Sequence, residues 1–472
     1  MYPSRPSNSV LGSTLLLFAL VATGCGAEDA TQPRADASTS SVDGPARESQ
    51  DGESNGGAND AGVDPTGTTD EAAWSVAELD DEAFAADTLA GIVIPARYDA
   101  ELEPYQVELL ELAASAAERI PYEKPRATAE EGVAVTALRM DAPSVALEYA
   151  RRVENWRRGS LVADIAMHFA DRDEMELAEK LAERAFRIAR GTEQEDPQSW
   201  RRARIAAKAG HVFVLAGRTG EVADLLQGLE SSDMGIVDNA RVKTMSDADF
   251  EQYLTSVELA TQAGDLELIV HTFNSCVELV DRFWMDGTRR ERLEAAMRSY
   301  WTKMPIPERL KLTMRLAEVA MGKEDSAKAL AYLDEAQDVM DSARWLPRHL
   351  LPMQAELAVM RVNAGDGSGG RAELRDALAT YDEEWVDMTD IWRAGALRPV
   401  AEGFHRTGDS AQAKLVYARV LEDGNVNPNV KPRAEDLSAT CCSMALYAFE
   451  PDAAMLSRIR ALRDGLVQPK AD

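Results

Sequence analysis

Trp156-Arg157-Arg158 returns 44 residues later as Trp200-Arg201-Arg202, and the side chains that follow keep step with it. Leu161 matches Ile205, Ala163 matches Ala207, Ala166 matches Gly210, and Phe169 matches Phe213. A period of that length is a helix pair, and stacked helix pairs bury their apolar faces against their neighbours. From residue 104 onward, apolar residues recur mainly at every third or fourth position, as on helices with one buried face. Pro and Gly fall between those stretches, at Pro143, Pro197, Gly217, Gly264, Pro305, Pro347, Gly365 and Gly408. The pattern predicts an all-α fold of antiparallel helix pairs. Residues 74–472 also exceed the roughly 250–300 at which one compact core stops growing.

Within each unit the order of side chains resembles the tetratricopeptide (TPR) repeat. That repeat sets a small residue on helix A, an aromatic three later, Gly-Asp or similar at the turn, then small and aromatic positions on helix B. Ala401, Phe404, Gly408-Asp409, Ala413 and Tyr417 give the fullest match, and Ala317, Ala320, Ala329, Leu333 and Ala336 the next. Small side chains let the two helices approach closely and the aromatic fills the groove between them. The resemblance implies a TPR-like α-solenoid over residues 125–424. Helix-B positions fall near 146, 178, 222, 269, 329, 370 and 413. Most of these spacings exceed the 34 residues of the strict repeat, so the units carry longer helices or loops. Residues 74–124 are expected to be N-terminal helices, Pro104–Ile120 the clearer one. Residues 425–472 are expected to be a C-terminal helical cap, with Leu437, Cys441, Met444 and Ala445 on its buried side. An irregular helical bundle is the competing architecture.

The start of the chain reads as an address. Arg5 precedes the apolar run Leu15–Ala22, and Thr23-Gly24 leads to Cys25. This is a secretory signal over residues 1–24, and its apolar run is too short to span a bilayer. Gly24-Cys25 resembles the lipobox of bacterial lipoproteins, although Ala22 stands where Leu is commonest. The resemblance implies that Cys25 is acylated and becomes the mature N-terminus. Asp after that Cys favours inner-membrane retention in enteric bacteria; Gly26 holds the position here and points to the outer membrane. Residues 26–73 hold 11 acidic and 2 basic side chains and no Leu, Ile, Met or aromatic. Such a segment cannot offset its chain entropy, so residues 25–73 are expected to be a disordered acidic tether. Its r.m.s. reach is of order 40 Å.

The whole chain carries 51 Lys and Arg against 81 Asp and Glu, a net charge of −30, which speaks against nucleic-acid binding. With Arg5 and the tether set aside, residues 74–472 carry −22. Motifs that could bear chemistry weaken in context. Gly365-Asp-Gly-Ser-Gly-Gly370 fits GxGxxG but follows a helical run, not a strand. Asp423-Gly-Asn425-Val-Asn427-Pro-Asn429 alternates oxygen side chains but has Pro428 where a calcium loop needs Gly. Cys441-Cys442 cannot converge on one zinc ion from adjacent helical positions. The five histidines are widely separated. The chain is therefore read as not an enzyme, with no cofactor and no metal.

The basic clusters stand out in so acidic a chain. If the two Trp-Arg-Arg units are repeats, Arg157, Arg158, Arg201 and Arg202 lie side by side as a candidate partner-binding ridge for an acidic peptide. The alternative is that they stack on the neighbouring Trp or pair with nearby acids. The expected function is a lipid-anchored scaffold or peptide-binding adaptor in the bacterial cell envelope, with other proteins or acidic peptides as partners. The competing expectation is an all-α envelope enzyme acting on glycans or peptidoglycan. A closed ring with paired carboxylates would favour the second, and an open superhelix the first.

Overall fold

A computed structural model describes residue 89 and residues 92–195, 199–218, 220 and 231–467. The signal segment, Cys25, the acidic tether and residues 74–88 lie outside the described residues. So does Val222, one of the expected helix-B positions.

The described residues form eighteen α-helices and no strand. In chain order they are α1 (Pro104–Ala117), α2 (Glu123–Arg139), α3 (Pro143–Ala150), α4 (Arg157–Ala170), α5 (Met175–Glu195) and α6 (Ser199–Leu215). Then come α7 (Ser231–Thr244), α8 (Phe250–Ala263), α9 (Leu266–Arg282), α10 (Gly287–Tyr300), α11 (Ile306–Gly322) and α12 (Ser326–Asp341). The last six are α13 (Pro347–Asn363), α14 (Gly367–Glu384), α15 (Asp390–Arg406), α16 (Ser410–Asp423), α17 (Val430–Leu446) and α18 (Ala453–Asp464). Consecutive helices pack in pairs, most extensively α4 with α5, α11 with α12, α13 with α14 and α15 with α16.

The repeat positions read from sequence make these contacts. Ala401, Ala413, Ala317, Ala329, Ala166 and Ala178 are fully buried, and Phe169, Phe273 and Phe404 fill the grooves beside them. Within α15, Ala394, Leu397, Ala401 and Phe404 form the buried stripe. Turns between paired helices use the left-handed backbone that glycine adopts without strain, at Gly217, Gly365 and Gly408. An Asp then caps the outer helix: Asp409 accepts from the Gln412 amide at 3.1 Å and Asp325 from the Lys328 amide at 3.0 Å.

Helices α2, α4, α6, α7, α9, α11, α13, α15 and α17 also touch one another side by side, each with the next. The circuit closes, because α17 packs on α2. The helices paired with them scarcely touch one another, so the mutually touching set is the inner layer. Its last member, α17, takes α1 as its outer partner, so the final hairpin is built from opposite ends of the described chain. Gln106 of α1 donates to the Ala445 carbonyl at 2.9 Å, Arg460 of α18 pairs with Glu108, and Arg463 donates to the Ser115 hydroxyl at 3.4 Å. Thr136, late in α2, meets Cys442, late in α17, so the closure is in register.

Buried apolar side chains gather in two clusters. One draws on residues 89–240 and 351–466, the other on residues 242–364. Helix α13 serves both: Leu351, Ala355 and Ala358 face the first, Leu357, Met360 and Ala364 the second. Helix α7 is the other seam, with Val237 and Ala240 in one cluster and Val242 in the other. The described helices thus form a helical-repeat ring of two arcs that meet at α7 and α13.

Candidate functional site

Inner helices run parallel around the ring, so their starts share one rim and their ends the other. On the starting rim, Trp156 packs edge-on to Trp200 with centroids 5.2 Å apart, Arg348 of α13 lies 4.6 Å over Trp392 of α15, and Asn427 donates to Asp390 at 3.0 Å. On the finishing rim, Lys323 pairs with Asp281 at 3.0 Å, Lys243 with Asp171 at 2.7 Å, and His405 meets the Tyr447 carbonyl at 2.9 Å.

The two Trp-Arg-Arg units are neighbours on the starting rim, at the heads of α4 and α6. Arg157 pairs with Glu131 of α2 and stacks 5.0 Å from Trp156. Arg158 donates through Nε to the Val153 carbonyl at 2.6 Å. Arg201 lies over both tryptophans, 5.7 Å from Trp156 and 5.3 Å from Trp200. Arg202 follows on the next position of α6 and is half-buried. The guanidinium groups of Arg157 and Arg201 thus lie over indole rings.

Behind the rim, a belt of half-buried charges links inner helix to inner helix. Lys208 of α6 donates to Ser160 and Asp164 of α4 at 2.7 and 2.8 Å. Arg315 of α11 pairs with Glu278 of α9 at 2.6 Å and donates to Asn274. Arg406 of α15 grips Glu356 of α13 through both terminal nitrogens, at 2.5 and 3.0 Å. Burial pushes the Glu131 carboxyl above the usual carboxylate range against the pull of Arg157 and Lys208.

The belt is interrupted between α11 and α13, the neighbours in the inner layer that touch least. Glu318 of α11 stands there, and its Oε1 is buried with no hydrogen-bond partner among the described residues. Burial and the nearby Glu356 carboxylate raise its pKa to about 8, with Arg315 and Arg406 pulling the other way. The Glu318 carboxyl is thereby biased toward its protonated form beside the arginine-held Glu356, and a protonated carboxyl can donate a hydrogen bond.

Sequence reasoning did not single out these side chains. Their signal was available: Arg398, Glu402 and Arg406 recur every fourth residue on α15, flanking the buried stripe. Solvated faces show the same spacing, and only the ring makes this one an interior face.

The motifs weighed in the sequence have local roles. Asp366 caps α14 by accepting from the Gly369 amide at 2.8 Å, and Gly367–Gly370 are its first helical turn, not a loop. Asp423 accepts from the Tyr381 hydroxyl at 2.6 Å and from Trp385 Nε1 at 3.1 Å. Cys276, Cys441 and Cys442 are free thiols, and burial raises Cys276 to about 12. His211 is buried and meets the Ile236 carbonyl at 2.8 Å through Nδ1. Arg289 stacks on Phe250 and Phe283, and Arg292 pairs with Glu251 at 2.6 Å. No group of three or more His, Cys, Asp or Glu among the described residues is placed to hold a metal ion. No helix among them is long and apolar enough to cross a membrane. No protein-family model, no curated protein and no solved structure matches this chain.

Proposed function

We propose that this chain is a lipid-anchored helical-repeat protein of the bacterial cell envelope, TPR-like in its units, that acts as an interaction scaffold or peptide-binding adaptor. Its anchor is Cys25, acylated after removal of residues 1–24, and Gly26 favours the outer membrane. Its partners are other envelope proteins or their acidic segments.

The observation that carries this reading is the inner layer. Its charged side chains are half-buried, fixed by partners on adjacent helices, and face neither core. Fixed donors and acceptors at regular spacing suit an extended polypeptide, which presents its own at regular intervals. The gap at Glu318, together with Arg157, Arg158, Arg201 and Arg202 on the rim, is the assigned contact region. Two measurements test the reading. A clickable fatty acid should label the wild type and not Cys25→Ser; equal labelling refutes the anchor. Immobilised wild type should enrich a partner from envelope extract, lost from Glu318→Gln or from the quadruple Arg→Gln variant while the helical circular dichroism of each is retained. A wild type that enriches nothing refutes the scaffold.

A second reading, an envelope enzyme acting on glycans or peptidoglycan, is favoured by the closed inner circuit, the architecture expected of it, and by one pair of side chains. Glu318, its carboxyl raised to about 8 by burial and the nearby Glu356, is the candidate acid, and Glu356 is the second carboxyl beside it. Release of soluble sugar from purified sacculi by the wild type, abolished in both Glu318→Gln and Glu356→Gln, would replace the scaffold reading with this one.

A further inference from the structure

Among the described residues, every junction in the inner layer but one is tied by a polar contact. At four of them the later helix supplies a cation and the earlier one an acid. Arg157 of α4 pairs with Glu131 of α2, and Lys208 of α6 with Asp164 of α4 at 2.8 Å. Arg315 of α11 pairs with Glu278 of α9 at 2.6 Å, and Arg406 of α15 with Glu356 of α13 at 3.0 Å. Other junctions are tied by a hydroxyl, an imidazole or a thiol. Ser275 of α9 donates to Asn239 of α7 at 2.6 Å, His211 meets the Ile236 carbonyl, His405 meets the Tyr447 carbonyl, and Cys442 meets Thr136. Between α11 and α13 there is no hydrogen bond or ion pair among the described residues. The acid of the usual tie is present there as Glu318, whose buried Oε1 has no partner. The cation is missing. Of the arginines of α13, Arg348 stacks on Trp392, and Arg361 pairs with Asp334 of α12 at 2.7 Å and Glu373 of α14 at 2.8 Å. The arginines that act on Glu318, Arg315 and Arg406, already hold Glu278 and Glu356.

We infer that the α11–α13 junction binds the cationic side chain of an extended polypeptide, a lysine or arginine that stands in for the missing cation against Glu318. The charges select this occupant. Glu278, Glu318 and Glu356 face two guanidinium groups, so one carboxyl is left over, and a single positive charge completes the set. An acidic side chain would meet Glu318 and Glu356 with no free guanidinium to receive it. Burial and Glu356 hold Glu318 toward its neutral form against the pull of Arg315 and Arg406, and a cation seated beside it favours the ionised form. The apolar part of the junction suits the stem of such a side chain. Met314 and Met321 of α11 and Met353 and Met360 of α13 belong to one buried cluster, Met321 and Met353 at its half-buried margin. Thioether side chains repack around a guest, and the methylene stem of lysine or arginine lies along apolar surface while its head reaches a charge. No polar tie has to break for α11 and α13 to part around it. The inference rests on the scaffold reading above and names the side chain that the gap takes.

The test titrates the full-length protein, at physiological salt, with a fluorescein-labelled peptide of alternating alanine and lysine. The same peptide with every lysine acetylated, and an alanine–glutamate peptide, serve as comparisons. Wild type should bind the lysine peptide about tenfold or more tightly than Glu318→Gln does, the worth of one charge-assisted pair, and acetylation should cost the wild type a similar factor. The chain's net charge of −30 attracts any cationic peptide, but Glu318→Gln changes that charge by at most one, so the difference between the two proteins reads the junction. A second measurement needs no variant. Saturating lysine peptide should slow amide exchange of the wild type across 314–322 and 353–363 more than across the other inner helices. Equal affinity of wild type and Glu318→Gln for the lysine peptide overturns the inference. So does equal affinity of the wild type for the acetylated peptide, tighter binding of the glutamate peptide, or protection confined to other helices. If the junction fails these tests while the wild type still enriches a partner from envelope extract, the scaffold stands without it. If the junction binds the lysine peptide as expected while the extract yields no partner, the scaffold falls and the cationic site remains.

Discussion

Gln106 and Ala445 are 339 residues apart in sequence, yet the amide of one donates to the carbonyl of the other at 2.9 Å. The bond lies in the α1–α17 hairpin that closes the ring. In an open solenoid each unit feels only its neighbours, and a defect at one end leaves the other unchanged. Leu109→Ala in α1 should cost about 2–5 kcal/mol, the usual range for emptying a buried leucine site. The diagnostic is where the cost appears. Amide hydrogen exchange should accelerate across 430–446 as much as across 123–139. Loss of protection confined to the N-terminal helices would refute the closure.

Gly235 meets a single opposing side chain. A Cβ there would lie 2.2 Å from the His271 ring, so α7 approaches α9 only because position 235 has none. Elsewhere in a helix, Gly→Ala is mildly stabilising. Gly235→Ala should instead destabilise by about 1–3 kcal/mol, since overpacking forces α7 from α9 at a seam. A melting temperature equal to or above wild type would show that the seam is loosely packed.

Glu318 predicts a pH dependence of definite sign. Its folded pKa of about 8 lies above the ordinary carboxylate value near 4.3, so the folded state holds a proton that the unfolded chain has released. That contribution is complete below about pH 4.3, shrinks as pH rises, and is gone above about pH 8. Asp436, raised to about 7 by burial, acts in the same direction. His211, whose pKa burial lowers, acts oppositely below about pH 6.5. Glu318→Gln cannot ionise, so its stability relative to wild type should grow between pH 5 and pH 8, by about 1–3 kcal/mol. Denaturant titrations at the two pH values give the difference directly; a constant difference would show Glu318 ionised throughout.

Ala401 and Ala329 test the close packing of helix pairs. Tryptophan at either site should destabilise the body by about 1–3 kcal/mol or more. Ala58→Trp, in the acidic segment, should leave the melting temperature unchanged. Equal melting of all three variants would remove the small-residue contacts from the account.

The helices and their buried faces were legible because packing leaves a periodic mark. Ala401, Phe404, Ala413 and Tyr417 could be assigned to one contact from their spacing alone, and all four are buried. The phase of the repeat was harder to read. Gly264-Asp265 resembles the turn inside a unit, but it joins outer helix α8 to inner helix α9. Ile269, taken as a helix-B position, is on the inner layer, and the apparent 60-residue spacing to Ala329 hides the outer helix α10 and the inner helix α11. A local turn motif does not say which layer it leaves. Ring closure left no mark either, because α1 and α17 carry ordinary buried stripes and nothing local ties Gln106 to Ala445. The belt around Glu318 was hidden for a related reason. Charged residues at every fourth position read as solvent-facing until a ring encloses them.

A ring closed by α1 against α17 has no privileged first repeat. The backbone break between α17 and α1 is one seam among nine inner positions, and it is spanned by the same kind of helix contact as the others. Joining the two ends by a linker and reopening the chain at another outer-to-inner turn, such as that between Glu384 and Asp390, should give a permuted chain with the same ring. The order of synthesis, by contrast, is not interchangeable. As the natural chain is made, α1 emerges early and its partner α17 last, so its apolar face has no final partner until nearly the whole chain is present. A truncated chain leaves that face exposed, where a protease or holdase can recognise it.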